Sequence, residues 1–200
     1  MARIKLFLQQ ATEVVGEEKE GLLILTDSFQ ERQIAIPCSS RMFDEFKARM
    51  NNPKHHAELA DILFNVIKWQ TELSLELVII NVDNGHYSAI LSNTDSLEQV
   101  PLDGAQAVLL NYISKDKIPL FIEEKLFLKQ SSVYDMKATG VSLPVNTLSR
   151  SMLRKAMEKA IAAENYELAS QLRDELNRRT ASSDNNSKTS PDNTTRESSN

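Results

Sequence analysis

The sequence predicts an α+β fold, mainly an antiparallel sheet with packed helices, followed by a C-terminal α-helical hairpin. Short apolar strand patterns cluster within residues 1–130 and do not alternate strictly with helices, which favours α+β over a doubly wound parallel sheet. The triplet "DNG" between two apolar runs is a typical hairpin turn. Residues 148–179 carry a helical pattern with two facing apolar stripes.

Three strands and one helix are predicted first. The stretches "RIKLFL" and "GLLILT" are apolar runs of strand length, and "RQIAIP" alternates Gln33 and Ala35 with two isoleucines. A helix follows in "SSRMFDEFKARM", and either Ser39 or Ser40 can provide its N-cap.

The next helix, residues 53–70, is more apolar than a surface helix usually is. Asn52 followed by Pro53 is a helix-start signal. Most of the circumference is apolar, and only a narrow polar stripe remains, formed by Glu58, Asp61, Asn65 and Lys68. We therefore expect this helix to be largely buried, partly in a subunit interface, and the protein to be a homo-oligomer.

The remaining elements of the first domain follow in close succession. "LELVIINV", "HYSAILS" and "LEQVPL" predict a three-stranded meander joined at the "DNG" turn. "DGAQAVLLNYIS" predicts a helix capped by Asp103, with Gln106 placed to complete a capping box. "IPLFI" predicts another strand and "EEKLFLK" a short closing helix.

Composition predicts two segments without a packed core. Residues 131–147 are rich in Ser, Thr, Gly and Pro without a sustained period, which is typical of a linker. Residues 180–200 contain one aliphatic side chain, Ala181, so they cannot bury enough apolar surface to offset their ordering entropy. We expect this tail to be disordered.

Charge and cysteine content exclude several classes of protein. With 23 basic and 28 acidic residues the net charge is −5, so bulk charge does not favour nucleic-acid binding. Cys38 is the only cysteine, so an intrachain disulfide or a cysteine zinc cage is excluded. Its position before a helix could lower its pKa, but an incidental buried thiol is the favoured alternative. No apolar run reaches the length of a signal peptide or membrane span, and we expect a cytoplasmic protein.

The core resembles, as a divergent member, the bifunctional nuclease domain found in bacteria and plants. The residues that carry the resemblance lie within residues 20–130: "ERQIAI", "ADILFNVIKW" with "LSLELVIINVDNGHYSAIL", and "VPLDGAQAVLLNYISKDKIPLFIEEKLF". The resemblance implies an α+β domain that cleaves DNA or RNA with a divalent metal, Mg²⁺ or Mn²⁺. Residues 1–130 would form this nuclease-like domain.

The resemblance also implies a set of site residues. Asp61 and Asp103 would be catalytic and would bind the metal, because metal-assisted phosphodiester cleavage needs converging carboxylates. Arg32 would bind the substrate through a phosphate contact. Each aspartate has a structural alternative: Asp61 lies on the polar stripe and could face solvent, and Asp103 could serve as an N-cap.

The segment "LRKAMEKAIAAENYELASQLRDEL" resembles the UVR motif, the helical hairpin of bacterial nucleotide-excision-repair proteins and of some protease adaptors. Two apolar stripes, a turn at Ala163 to Asn165 and the Tyr-Glu-x-Ala-x-x-Leu-Arg-Asp string carry this resemblance. It implies docking on a partner protein, with Tyr166, Leu172, Arg173 and Asp174 as the binding residues. Two functions are thus expected: a metal-dependent nuclease with a docking hairpin, or a non-catalytic scaffold that acts through the hairpin.

Overall fold

The structure, a computed structural model, describes residues 2–14, 20–52, 59–135 and 143–186. The chain divides into two compact units, Met1–Leu148 and Ser149–Asn200. Within the described part of the chain, no helix is both long and apolar enough to cross a lipid bilayer.

The first unit contains nine strands and four α-helices among its described residues. The strands are β1 (Arg3–Lys5), β2 (Phe7–Val14), β3 (Glu20–Thr26), β4 (Arg32–Cys38), β5 (Leu75–Asp83), β6 (His86–Asn93), β7 (Gln99–Asp103), β8 (Leu120–Glu123) and β9 (Ser132–Val133). The helices are α1 (Ser40–Asn51), α2 (Leu59–Gln70), α3 (Gly104–Ile113) and α4 (Glu124–Gln130), and a short 3₁₀ turn spans Val145–Thr147.

The strands form two sheets, and their pairing confirms the α+β class. One sheet has the order β1-β8-β5-β6-β7 and the other the order β2-β3-β4-β9. All neighbours pair antiparallel except β5 and β8, which are parallel. The predicted meander is β5-β6-β7, and its "DNG" turn has positive φ at both Asn84 (51°) and Gly85 (87°). These are the angles of a type I′ hairpin turn.

The first predicted strand is divided between the two sheets. Arg3–Lys5 pairs with β8, whereas the chain from Phe7 onward pairs with β3. Leu6, at the change of sheet, is fully buried, and its N–H donates to the carbonyl of Leu120 at 2.9 Å. A strand that switches sheets forms a corner of the packing, and an apolar residue at that corner can enter the core.

The main core contains aliphatic side chains from both sheets, together with side chains from α1 and α3. A smaller cluster covers the other face of β3 and β4: Leu22, Ile24 and Ala35 are buried and Leu143 packs against them. The alternation predicted for "RQIAIP" therefore gives no exposed face: Ala35 is buried in this second cluster, and Gln33 is also buried.

Helix α2 differs most from its prediction. The helix begins at Leu59 among the described residues, and residues 53–58 of the predicted helix lie outside them. It was expected to be largely buried, but its aliphatic side chains at five positions are between 39% and 69% exposed, namely Leu59, Ile62, Leu63, Val66 and Ile67. Asp61, expected on a solvated stripe, is 5% exposed. Within the single chain the helix is therefore less buried than expected and turns Asp61 inward, because Asp61 accepts from the buried Arg49. The expected subunit interface stays a prediction.

The second unit is a pair of helices, as predicted. Helix α5 (Arg150–Ala162) begins after Ser149, whose hydroxyl accepts from the Met152 N–H at 3.2 Å. The turn at residues 163–165 contains Glu164 with φ 55°, and helix α6 runs from Tyr166 to Asn186, past the Arg179 where the hairpin was expected to end. Residues 187–200 of the predicted tail lie outside the described residues.

Candidate functional site

The buried polar centre of the first unit is an ion pair between α1 and α2. Both nitrogens at the end of the Arg49 side chain donate to Asp61, Nη1 to Oδ1 at 2.9 Å and Nη2 to Oδ2 at 2.8 Å. The two side chains are 5% and 6% exposed. Arg49 Nε also donates to Glu45, one turn earlier in α1. The bond to Asp61, followed by the bond to Glu45, raises the pKa of Arg49 against the effect of burial.

This ion pair lines a cavity of about 330 Å³ near the C-terminal end of α3. The lining also includes Asn52, Asn111 and two consecutive residues, Lys115 and Asp116, whose φ angles of 53° and 60° lie in the left-handed region. The volume is at the lower end of the range of small-molecule pockets, about 300 to 1,000 Å³. A ligand here would meet amides and charges of both signs, not a cluster of carboxylates.

Asp103 has a different role at the other end of α3. Its Oδ1 accepts from the Ala105 N–H at 2.8 Å, and Gln106 Oε1 accepts from the Asp103 N–H at 3.0 Å. This is the capping box that the sequence predicts. The following residue, Gly104, is required by close packing, because a Cβ there would lie 2.6 Å from Tyr87 Cβ.

The structure does not bring the two aspartates together. Asp61 shares a cavity with Ile113, the last residue of α3, whereas Asp103 caps the first turn of the same helix. A helix of ten residues is about 15 Å long, too far for two carboxylates to share one cation. Among the described residues, no group of three or more His, Cys, Asp and Glu side chains is placed to hold a metal ion.

Cys38 and Arg32 are also held by their surroundings. Burial, with the nearby Asp103 carboxylate, raises the pKa of the Cys38 thiol to about 12, which is opposite to the lowering that a helix N-terminus can produce. Arg32 Nε donates to Ser131 Oγ at 2.7 Å and its Nη2 donates to the Ser131 carbonyl at 2.9 Å. Both contacts tie β4 to the chain beside β9, so these donors are engaged within the domain.

The four predicted partner-binding residues are divided between the surface and the interior. Tyr166 is 67% exposed, and the side chains of Arg173 and Asp174 are 63% and 68% exposed with 3.5 Å between them. Leu172 is 1% exposed, so its side chain is not available for a partner to contact. Leu153, Ala160 and Ala169 are likewise buried, which matches the predicted apolar stripes, whereas Ile161 is exposed.

An ion-pair network lies in the middle of α6. Glu175 accepts from Arg178 at 2.8 Å and from Arg179 at 2.7 Å. The hydrogen bonds from Arg178 and then Arg179 lower the pKa of Glu175 to about 2 although burial acts in the other direction. These three residues are three and four positions apart, the spacing at which side chains on one helix face each other.

Fold and site together define a two-part protein, an α+β domain followed by a helical hairpin. The hairpin is identified by comparison: residues 151–178 match the model of the UVR family, the UvrB/uvrC motif. Comparison with curated proteins gives no match to the chain. The UVR assignment is thereby confirmed, whereas the nuclease-family resemblance of residues 20–130 stays a prediction.

Sequence reasoning did not find Arg49 or the loop at residues 115–116. Arg49 lies on a helix of ordinary amphipathic pattern, and its burial depends on a carboxylate from the next helix. A weak signal is present in that next helix, where Asp61 is the one charged residue between Leu59 and Ile67. Such a residue needs a counter-charge if the helix packs on the core.

Proposed function

We propose that this protein is an adaptor that docks on a partner protein through its UVR hairpin, with the α+β domain as the folded platform. The observation that carries the proposal is the UVR match at residues 151–178, which coincides with a helix pair in the structure. UVR-like hairpins offer a preformed pair of helices, so little conformational entropy is lost when a partner binds.

The exposed face of the hairpin suggests the chemistry of the contact. Tyr166 begins α6 and offers a large ring with a polar end, the kind of side chain enriched among the strongest contacts of protein interfaces. Arg173 and Asp174 are exposed, and their 3.5 Å pair is weak enough to exchange for charges on a partner. Ile161 adds an exposed aliphatic side chain.

A protein is favoured over DNA or RNA as the partner. Residues 151–178 contain five basic and five acidic side chains, so the motif has no net charge. Nucleic-acid affinity depends mainly on cationic contacts to phosphates, and a neutral hairpin on a chain of net charge −5 supplies few of them.

The alternative function is the Mg²⁺- or Mn²⁺-dependent nuclease that the resemblance implies. It receives less support from the described geometry, because both oxygens of Asp61 accept from Arg49 and Asp103 caps α3. A cation at Asp61 would have to displace a buried guanidinium. Cleavage of DNA and RNA by the pure full-length chain, with and without each metal, tests this alternative directly.

The adaptor proposal is tested with full-length variants. Tyr166→Ala should reduce binding to a captured partner strongly, because it removes an exposed aromatic side chain without opening the buried stripes. Phe29→Ala is a matched control, since Phe29 is an aromatic residue of the first unit and is 82% exposed. Binding is measured by quantitative pull-down, and thermal melting checks the fold. Equal loss of binding with both variants, or with neither, would contradict docking through the hairpin.

A further inference from the structure

Helix α2 presents an apolar stripe to solvent. The stripe, called here the α2 stripe, consists of Leu59, Ile62, Leu63, Val66 and Ile67. These positions follow the i, i+3, i+4, i+7, i+8 spacing of a single helix face. Asp61 is the only charged residue between Leu59 and Ile67, and it is buried on the opposite side. Contiguous exposed apolar patches are typical of interaction surfaces when they are large.

We propose that the α2 stripe is covered by a second copy of this chain, in an antiparallel α2–α2 contact whose two-fold axis passes at Leu63. The inference goes beyond the hairpin function, because it concerns the first unit alone. The stripe carries no charge that could pair with the charges of a charged peptide. The same stripe on a second copy is also uncharged, so the two surfaces match each other. A two-fold contact requires such a self-complementary surface.

The shape of the surface also supports a second copy. A hollow of about 140 Å³ lies beside Ile67, lined mainly by apolar side chains of Phe64, Leu73, Leu75 and Ile118, with Thr71 and Lys117 completing it. An apolar cavity of about 150 Å³ can hold a benzene molecule, so this hollow can accept one aliphatic side chain.

The aliphatic side chain that fits the hollow is on the same stripe. Leu59 is the most exposed member of the α2 stripe, and it lies eight residues, about 12 Å, from Ile67. An antiparallel pair centred on Leu63 places Leu59 of each copy against Ile67 and the hollow of the other. Each chain therefore carries both the protruding side chain, Leu59, and the hollow that receives it, at the spacing that a two-fold contact needs.

The test uses the full-length chain in sedimentation equilibrium. Wild type should form dimers, and Leu63→Glu should weaken them at least about 100-fold, because two carboxylates would meet at the axis. Leu63→Lys should weaken them similarly for the same reason. An equimolar mixture of the two variants should recover dimers that contain one chain of each, since a carboxylate then faces an ammonium group.

The control is Leu97→Glu, which places the same charge at a residue 77% exposed on a turn and should leave dimerisation unchanged. If Leu63→Glu does not fold, oxidation of Leu63→Cys provides a second test, because the native Cys38 is buried and is the only other thiol. A disulfide-linked dimer is expected from Leu63→Cys and not from Leu97→Cys. A wild type that is monomeric throughout, or a mixture of charge variants that stays monomeric, would overturn the proposal and assign the stripe to another occupant.

Discussion

The buried Arg49–Asp61 pair allows the most quantitative prediction. Arg49→Met keeps most of the side-chain volume but removes the guanidinium from which both oxygens of Asp61 accept at 2.8 and 2.9 Å. Breaking a buried ion pair from one side costs about 3 to 5 kcal/mol, because a charge is left in a poorly solvated site. For a chain of this size that loss corresponds to a fall in Tm of roughly 6 to 20 °C.

A double variant separates two free energies: the cost of leaving one buried charge unpaired, and the net contribution of the ion pair to stability. Replacing both partners with apolar residues, as in Arg49→Met with Asp61→Leu, often gives a protein of nearly wild-type stability. We therefore expect the double variant to regain most of the lost free energy of unfolding. Urea denaturation with a constant m-value provides the measurement.

An exposed pair on the same unit serves as the control. Arg3 donates to Glu76, and their side chains are 42% and 19% exposed. Arg3→Met should cost less than about 1 kcal/mol, because solvent screens such pairs. The reasoning is refuted if Arg49→Met costs no more than this control. If Mn²⁺ raises the Tm of wild type but not of Asp61→Asn, then Asp61 binds metal and the structural assignment fails.

The remaining predictions concern Asp103 and Glu175. Asp103→Ser should cost less than about 1 kcal/mol and Asp103→Ala about 0.5 to 2 kcal/mol in thermal melts, since a cap needs an acceptor and not a charge. If wild type cleaves nucleic acid in a metal-dependent way, and Asp103→Ser is folded but does not, then Asp103 has a role beyond capping. The pKa of Glu175 is lowered to about 2, so its ion pairs stabilise the hairpin above the ordinary value of 4.5 and are lost as the pH falls toward 2. In Glu175→Gln the stability should fall by about 1 kcal/mol less than in wild type as the pH is lowered toward 2. Identical pH profiles of Tm for the two proteins would contradict this prediction.

Local signals in the sequence predicted much of the fold. The capping box at Asp103 and the turn at Gly85 depend on residues within a few positions of each other, and both are present in the structure. The two stripes of the hairpin were visible for the same reason, because helical spacing places their members on one face.

Features set by long-range packing could not be predicted in this way. The change of sheet at Leu6 depends on β8, more than a hundred residues later in the chain. On the second face of β4, Ala35 belongs to the cluster against which Leu143 packs, and Gln33 is buried as well, so neither is exposed despite the alternation. Arg32, given a substrate role from resemblance, makes two contacts to Ser131 that only the folded chain reveals.

The orientation of α2 shows why the number of its apolar residues did not predict how much of the helix is buried within the chain. Successive residues of an α-helix are 100° apart, so every member of the α2 stripe lies at least 100° around the axis from Asp61. A rotation that turns the stripe into the core would therefore move the carboxylate away from Arg49 and leave a buried guanidinium without it. Leaving a charge unpaired in the interior costs about 3 to 5 kcal/mol, which is of the same order as the cost of exposing several aliphatic side chains that another surface can later cover. The ion pair thus favours the observed rotation of the helix, and that rotation leaves the α2 stripe exposed.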